Sequence, residues 1–171
     1  MNEVAIAGLG DTGRVLTATE CAELARAAAA HVDPGTLDRA GSGEARLLWR
    51  TPHSEAWLNT WWEARDTGFH DHDGSCVGVH VLAGRAANEP LTVGVPRKVG
   101  WFGPGESFSF GGAGIHRMDH AAGAVTIHVY SPPIRAIGHY ELADGVLRRA
   151  SCSPDEESPP SPLLSAALMQ Q

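Results

Sequence analysis

The chain has 171 residues and a formal net charge of −7, and it contains no basic patch, so we expect no nucleic-acid partner. Hydrophobic residues make up 43% and charged residues 19% of the chain, which is typical of one soluble globular domain. We see neither an apolar run long enough to span a membrane nor a secretion signal, and we expect no membrane partner. The 3 cysteines are odd in number and far apart, which favours a reducing cytoplasm over a disulfide framework.

The N-terminal stretch contains a glycine pattern that is typical of dinucleotide-binding turns. Gly8, Gly10 and Gly13 follow a short apolar run as G-x-G-x-x-G, and the acidic Asp33 lies downstream. We discount this pattern because the following chain does not alternate strands with helices, as a doubly wound sheet requires. We therefore predict a flexible N-terminus over residues 1–16.

One helix is predicted after this stretch. Thr17 and Glu20 have the spacing of a capping box, in which the two side chains satisfy free amides at a helix start. The alanine-rich run from Glu20 to His31 favours a helix, and Asp33-Pro34-Gly35 should end it. We expect this helix to pack on the main body in a structural role.

From Ala45 onward the sequence consists of short apolar and aromatic segments separated by glycine and proline. Strands of this length and spacing predict a sandwich or a barrel, with a hairpin turn at Asp144-Gly145. We expect one domain over residues 17–150 and a mobile tail rich in proline and serine over residues 151–171.

A pair of histidines in the middle of the chain predicts a metal site. His70 and His72 are one residue apart, so on an extended strand both side chains lie on the same side, and a turn signal follows at Asp73-Gly74. Two imidazoles leave the coordination sphere of a transition metal incomplete. We expect His116 to supply the third ligand.

Three segments of the chain resemble the cysteine dioxygenase family of thiol dioxygenases. These are His70–Gly84, which keeps the family's His-Asp-His start and closing glycine, Gly114–Arg117, and Thr126–Pro133, which is similar to Ser-x-His-x-Tyr-Ser-Pro-Pro. The resemblance implies an all-β cupin fold, a double-stranded β-barrel (jelly roll), here with an N-terminal helical segment. It also implies a non-haem Fe(II) enzyme that adds O2 to the sulfur of a small-molecule thiol to give a sulfinate.

The residues after the histidine pair support this implication. Common cupins place a glutamate there, whereas this chain has Gly74, Ser75, Cys76 and Val77, so no carboxylate is supplied. Three neutral imidazoles leave open positions where an anionic thiolate and O2 fit on Fe(II). Nickel, copper or zinc can also occupy such a site, since affinity alone does not select iron. A metal-dependent cupin isomerase or lyase and a non-catalytic small-molecule-binding cupin stay as alternatives, and we expect a monomer or a small homo-oligomer.

The resemblance also implies catalytic residues. Thr126, His128 and Tyr130 alternate and so share one face of a strand, and in the family this triad is a hydrogen-bonded relay that puts the phenol near the iron. Some members crosslink that tyrosine to a cysteine. The ungapped count places Val77 at the cysteine position, and Cys76 is one residue away, so we expect no crosslink.

The substrate-binding side is less defined by the sequence. One alignment puts Ala45 at the position of the family's carboxylate-binding arginine, and another puts Arg46 there. On a regular strand Trp49 shares the face of Ala45, while Arg46 and Arg50 share the other face. A small, less basic wall would suit a bulkier thiol such as a thio-imidazole better than cysteine, although cysteine and other small thiols stay open. The candidate substrate-binding residues are Arg46, Arg50, Trp49, Cys76 and His80.

Overall fold

The computed structural model describes residues 6, 8–92, 96, 98–143 and 146–152, without the side chains of residues 142, 143 and 150–152. The helix α1 (Ala18–Ala29) precedes the strands. The strands are β1 (Ala45–Arg50), β2 (Glu55–Trp61), β3 (Arg65–Asp66), β4 (Phe69–Asp71), β5 (Cys76–Ala83), β6 (Ala86–Pro90), β7 (Gly100–Phe102), β8 (Ser107–Phe110), β9 (His116–His120), β10 (Ala124–Ser131), β11 (Ile137–Ala143) and β12 (Val146–Cys152).

The predicted capping box starts helix α1. The Thr17 side chain accepts a hydrogen bond from the Glu20 amide at 3.3 Å, and the Glu20 carboxylate accepts one from the Thr17 amide at 2.8 Å. The α-helix ends at Ala29, slightly earlier than the sequence suggests. A short 3-10 helix, Pro34–Thr36, follows and is capped by the side chain of Asp33.

The strands form two antiparallel sheets that pack face to face. The first has the order β1-β2-β10-β5-β8, and the second has the order β12-β11-β4-β9-β6-β7, with β3 paired to β9. This is the double-stranded β-barrel that the sequence predicts, and the all-β fold class is confirmed. Every strand pair in the described chain is antiparallel, so the parallel sheet of a dinucleotide-binding fold is not formed there.

Two hydrophobic cores lie on opposite sides of the first sheet. The outer core joins α1 to that sheet through residues that include Cys21, Ala25, Ala28, Leu58, Val125, Ile127 and Val129. The inner core fills the space between the sheets and includes Val77, Val79, Val81, Phe108, Met118 and Tyr130. Helix and sheet approach so closely at Gly78 that a Cβ there would lie 2.0 Å from the backbone nitrogen of Ala22, which requires glycine.

Residues 8–16 pack against the barrel. The Gly10 carbonyl accepts hydrogen bonds from the hydroxyls of Thr51 at 3.3 Å and Ser54 at 3.1 Å, and the Leu16 amide donates to the Ser131 hydroxyl at 2.8 Å. The predicted turn at Asp144-Gly145 and residues 153–171 of the predicted tail lie outside the described residues. Within the described chain, no helix has the length and apolar character that crossing a bilayer requires.

Candidate metal centre

Two neighbouring strands of the second sheet bring the three predicted histidines together. His70 lies on β4 directly opposite His116, the first residue of β9, and His72 follows β4 on the same side as His70. One ligand nitrogen from each ring lies within 4.8 Å of the other two. This separation allows all three imidazoles to bind a single ion.

Backbone and side-chain acceptors orient two of these rings. The Nδ1 atom of His70 lies 3.0 Å from the Gly68 carbonyl, and the Nδ1 atom of His116 lies 2.7 Å from the Asn88 side-chain oxygen. Because both oxygens only accept, each Nδ1 carries the proton, and each Nε2 keeps its lone pair for a metal. The His116 Nε2 atom is buried and has no hydrogen-bond partner in the described residues, which fits a nitrogen that binds a metal.

Burial keeps the triad neutral. It lowers the pKa of His70 to about 4, and it also lowers the pKa values of His72 and His116 well below the usual value. A metal therefore meets three uncharged imidazoles at neutral pH, and the cluster of potential ligands in the described chain includes no carboxylate. The neighbouring Asp71 carboxylate instead accepts hydrogen bonds from Tyr140 and Arg149. This donor set fits a divalent first-row transition metal.

A chain of hydrogen bonds lies beside the triad on the inner face of β10. The hydroxyl of Tyr130 is 3.0 Å from Nδ1 of His128, and Nε2 of His128 is 3.0 Å from the hydroxyl of Thr126. The ring of Tyr130 lies next to His72, with a centroid separation of 5.0 Å. Burial lowers the pKa of His128 to about 3, so this ring is also neutral.

Three further residues belong to the site but are not among those predicted from the sequence. Phe110 packs against His116 with ring centroids 3.9 Å apart, and His139 lies opposite His70 across the β4–β11 pair, with centroids 6.1 Å apart. The third is Asn88, which orients His116. Alternation of Phe108 and Phe110 along β8 is a signal that points to Phe110, whereas nothing local distinguishes Asn88 or His139.

Cys76 lies on the other side of the first sheet from the triad. Val77 is the direct partner of Tyr130, while Cys76 is opposite Ser131 and packs against the outer core. There the Cys21 thiol donates to the Cys76 carbonyl at 3.9 Å, and burial raises the pKa of that Cys21 thiol to about 12. Cys76 is therefore a packed thiol and does not reach the metal side.

His80 is likewise separated from the triad. It lies opposite Ile127, an outer-core residue, and its Nδ1 atom is 2.7 Å from the hydroxyl of Ser107. The structure therefore does not bring His80 to the metal side, although the sequence made it a candidate for the pocket.

A β-bulge in β1 corrects the expected positions of Trp49 and Arg50. The register shifts between Leu47 and Trp49, so residues beyond the bulge exchange faces. Trp49 is 5% exposed and packs in the outer core, where its indole nitrogen donates to Ser54 at 3.1 Å. The expectation that Trp49 shares the face of Ala45 is wrong.

The same bulge separates the two arginines. Arg46 lies opposite Leu58 of the outer core. Arg50 lies opposite Glu55, which is itself opposite Tyr130, and its guanidinium lies 5.7 Å from the Trp57 ring centroid. Arg50, rather than Arg46, is thus on the side of the sheet that carries the phenol.

Ala45 lies on the inner face of the first sheet. Ala45 is opposite Asn59, and Asn59 is opposite Thr126, so all three residues share the face of the relay. This inward-facing position therefore carries an alanine and not an arginine, in agreement with the ungapped alignment.

The chain is similar to one sequence family and to several solved structures. Residues 35–143 match the family model described as cysteine dioxygenase type I. No curated protein sequence matches the chain significantly. Among solved structures, KdgF from Halomonas sp. is 16% identical, with a TM-score of 0.46 over 56% of this chain and 84% of that one. An uncharacterized protein with a double-stranded β-helix domain from Klebsiella pneumoniae is 13% identical, with a TM-score of 0.47 over 70% of this chain and 95% of that one.

A β-barrel whose interior presents three neutral imidazoles defines the class of metal-binding cupins. Within that class the chain belongs to the cysteine dioxygenase type I family, since the matched segment includes all three histidines and all of β10. The suspected family is confirmed.

Proposed function

We propose that this protein is a non-haem Fe(II)-dependent thiol dioxygenase, which converts a thiol and one O2 molecule into a sulfinic acid. The observation that supports this most directly is the buried, neutral cluster of His70, His72 and His116 beside the phenol of Tyr130. Family membership supports the same reaction class. When bound to the three histidines, Fe(II) would supply the redox chemistry and the positions for thiolate and O2.

The chain's own residues hold and shield the reactants. Phe110 beside His116 and Val77 opposite Tyr130 provide apolar walls that keep water from the reacting sulfur. We assign Tyr130 as the group that hydrogen-bonds the bound substrate and moves a proton to or from it. His128 and Thr126 hold that phenol in place through the two hydrogen bonds described above.

We propose further that the preferred thiol is bulkier than L-cysteine and carries a planar group, such as a thio-imidazole. The small Ala45 leaves room on the relay face, and Arg50 already holds the Glu55 carboxylate, with 2.6 Å between Nε and Oε2. Trp57, opposite His128, offers an indole nitrogen that is buried without a partner in the described residues. A substrate acceptor atom would satisfy that donor, and a planar body would stack on the ring.

Oxygen uptake tests this proposal. The protein is loaded with Fe(II) without oxygen, and uptake is then followed with cysteine, 3-mercaptopropionate, cysteamine and ergothioneine, with sulfinate detected by mass spectrometry. We expect thiol-dependent uptake with one O2 consumed per sulfinate, and the highest kcat/KM for the heterocyclic thiol. The His116→Ala variant should lose both metal and activity, and Tyr130→Phe should lose about 10- to 1000-fold in turnover.

The possible results separate the alternatives. Metal binding without thiol-dependent oxygen uptake would favour a cupin isomerase, a lyase or a non-catalytic binding protein. Full activity in His116→Ala would refute the ligand assignment. Cys21 and Cys76 are free thiols, which supports our proposal that the protein works in a reducing cytoplasm.

A further inference from the structure

The hydrogen-bonded chain at Tyr130 continues beyond Thr126. The indole nitrogen of Trp61, the last residue of β2, lies 3.3 Å from the Thr126 hydroxyl. The indole ring stacks on His120 with centroids 3.9 Å apart and an interplanar angle of 15°. Four side chains thus form a continuous line, in the order Trp61, Thr126, His128 and Tyr130.

The chemistry of the indole determines which group donates in each hydrogen bond of this line. An indole nitrogen only donates, so the Thr126 oxygen must accept from Trp61. Thr126 is fully buried, and in the described residues its hydroxyl has only one other partner, Nε2 of His128. If that nitrogen also carried a proton, the Thr126 hydroxyl proton would be buried without an acceptor, which is costly. Thr126 therefore donates to Nε2 of His128.

The tautomer of His128 follows from the hydrogen bond that it accepts from Thr126. A neutral His128 that accepts at Nε2 carries its proton on Nδ1, and that proton points to the oxygen of Tyr130 at 3.0 Å. Tyr130 accepts this hydrogen bond, so its own proton is directed away from His128. The phenol is thereby oriented as a donor toward other groups around the triad.

We infer that Trp61 is a positioning residue that sets the tautomer of His128 and, through it, the direction in which Tyr130 donates. His120 holds the indole in place by stacking on it. Burial keeps the pKa of His120 well below its usual value, so the stacked ring is uncharged at neutral pH. The tautomer does not depend on the proposed function, whereas its effect on turnover does.

The tautomer of His128 can be measured without iron chemistry. We propose long-range proton–nitrogen correlation spectra of metal-free protein with isotope-labelled histidine, in which the His128 signals are assigned by their loss in His128→Asn. We expect the Nδ1–H tautomer in the wild type. In Trp61→Phe the ratio of Nδ1–H to Nε2–H should fall by about five- to tenfold, the effect of one neutral hydrogen bond.

Matched variants separate this effect from general disturbance. Trp62→Phe alters the adjacent indole, which packs against the outer core beside Arg39, and should leave the tautomer unchanged. Thr126→Ser keeps the hydroxyl, so His128 should keep the Nδ1–H form. Thr126→Val removes the hydroxyl, so His128 should lose its preference for that form. An Nε2–H tautomer in the wild type would overturn the inference even if Trp61→Phe does not fold. An unchanged tautomer in folded Trp61→Phe would also overturn it.

Kinetics then tests the catalytic consequence. In a protein with thiol-dependent oxygen uptake, Trp61→Phe should lower kcat by about tenfold while KM changes little. If the wild type shows no such uptake, the proposed function fails, while the tautomer result still decides the inference about Trp61.

Discussion

Val77 and Tyr130 lie directly opposite each other across the β5–β10 ladder, and both are almost completely buried. Opposite residues of an antiparallel pair have their Cβ atoms about 5 Å apart on the same face, so the residue at 77 is the one that meets the phenol. Cys76, one position earlier, is on the outer face. The structure therefore places a side chain that cannot crosslink where some family members have a cysteine.

We accordingly predict that Tyr130 stays an ordinary phenol. Intact mass spectrometry of protein purified after turnover should show no loss of two hydrogens, and Cys76→Ala should keep its activity. Val77→Cys is the positive control, because it presents a thiol to Tyr130 and should form the crosslink with iron and O2 as the oxidant. A Cys76–Tyr130 peptide lacking two hydrogens would show that the register is different in solution.

The second prediction concerns Asn88. Its side-chain oxygen holds the Nδ1 proton of His116, which fixes the ring and directs Nε2 to the metal. Asn88→Ala should weaken metal binding by about 10- to 100-fold, as is usual when such a supporting hydrogen bond is removed. Competition with a chelator measures the affinity.

Asn59→Ala is the matched control for this measurement, since Asn59 is a buried asparagine that lies opposite Thr126 rather than beside the triad. An equal loss of affinity in both variants would mean that Asn88 acts only through general stability.

The third prediction is that acid destabilises the metal-free protein. Burial lowers the pKa values of six histidines, to about 4 for His70 and about 3 for His128. The others are His72, His80, His116 and His120. In the unfolded chain each has a pKa of about 6.5. Between about pH 6.5 and 4 the unfolded state binds more protons than the folded state, so the free energy of unfolding falls as the pH falls.

Thermal melts of metal-free protein between about pH 8 and pH 5 should therefore show Tm decreasing steadily below about pH 6.5. His120→Phe removes one of the six groups, keeps an aromatic ring for Trp61, and should reduce the slope. A Tm that is constant or rises on acidification would contradict the neutral state of these rings.

The fourth prediction separates the two arginines of β1. Arg46→Ala should change KM for cysteine by no more than about twofold, because Arg46 lies opposite an outer-core residue. Arg50→Ala should instead lower stability by about 1–3 kcal/mol, because it leaves the buried Glu55 carboxylate without its guanidinium.

Urea denaturation of Arg50→Ala and of the double variant Arg50→Ala/Glu55→Gln measures this pair. The second substitution removes the unpaired charge and should restore part of the loss. If cysteine is the best substrate and Arg46→Ala raises its KM strongly, then Arg46 binds the substrate carboxylate and the substrate proposal is wrong.

Features that depend on local pattern could be predicted from the sequence. Strand alternation predicts that His70 and His72 lie on the same side of the chain. It also predicts that Thr126, His128 and Tyr130 share one face of their strand. The start of α1 follows from the capping box at Thr17. In each case the information lies within a few consecutive residues.

Features that depend on distant pairing could not be predicted. The bulge in β1 arises from how that strand pairs with β2, and it reverses every face assignment beyond Leu47. Trp49 packs in the outer core. Its ring lies so close to Gly10 that a Cβ on residue 10 would be 2.1 Å from Cδ1 of the indole. Asn88 lies 28 residues before His116, and only the β6–β9 pairing joins them.

The triad and the phenol belong to different sheets. His70 and His116 come from the second sheet and Tyr130 from the first, so no backbone hydrogen bond fixes their separation. That distance is instead set by the thickness of the inner core, to which Phe108 and Met118 contribute from opposite sides. A change of side-chain volume at Met118 would widen or narrow the gap between ligands and phenol while leaving both intact. Core residues that belong neither to the triad nor to the relay can therefore set the width of the space between them.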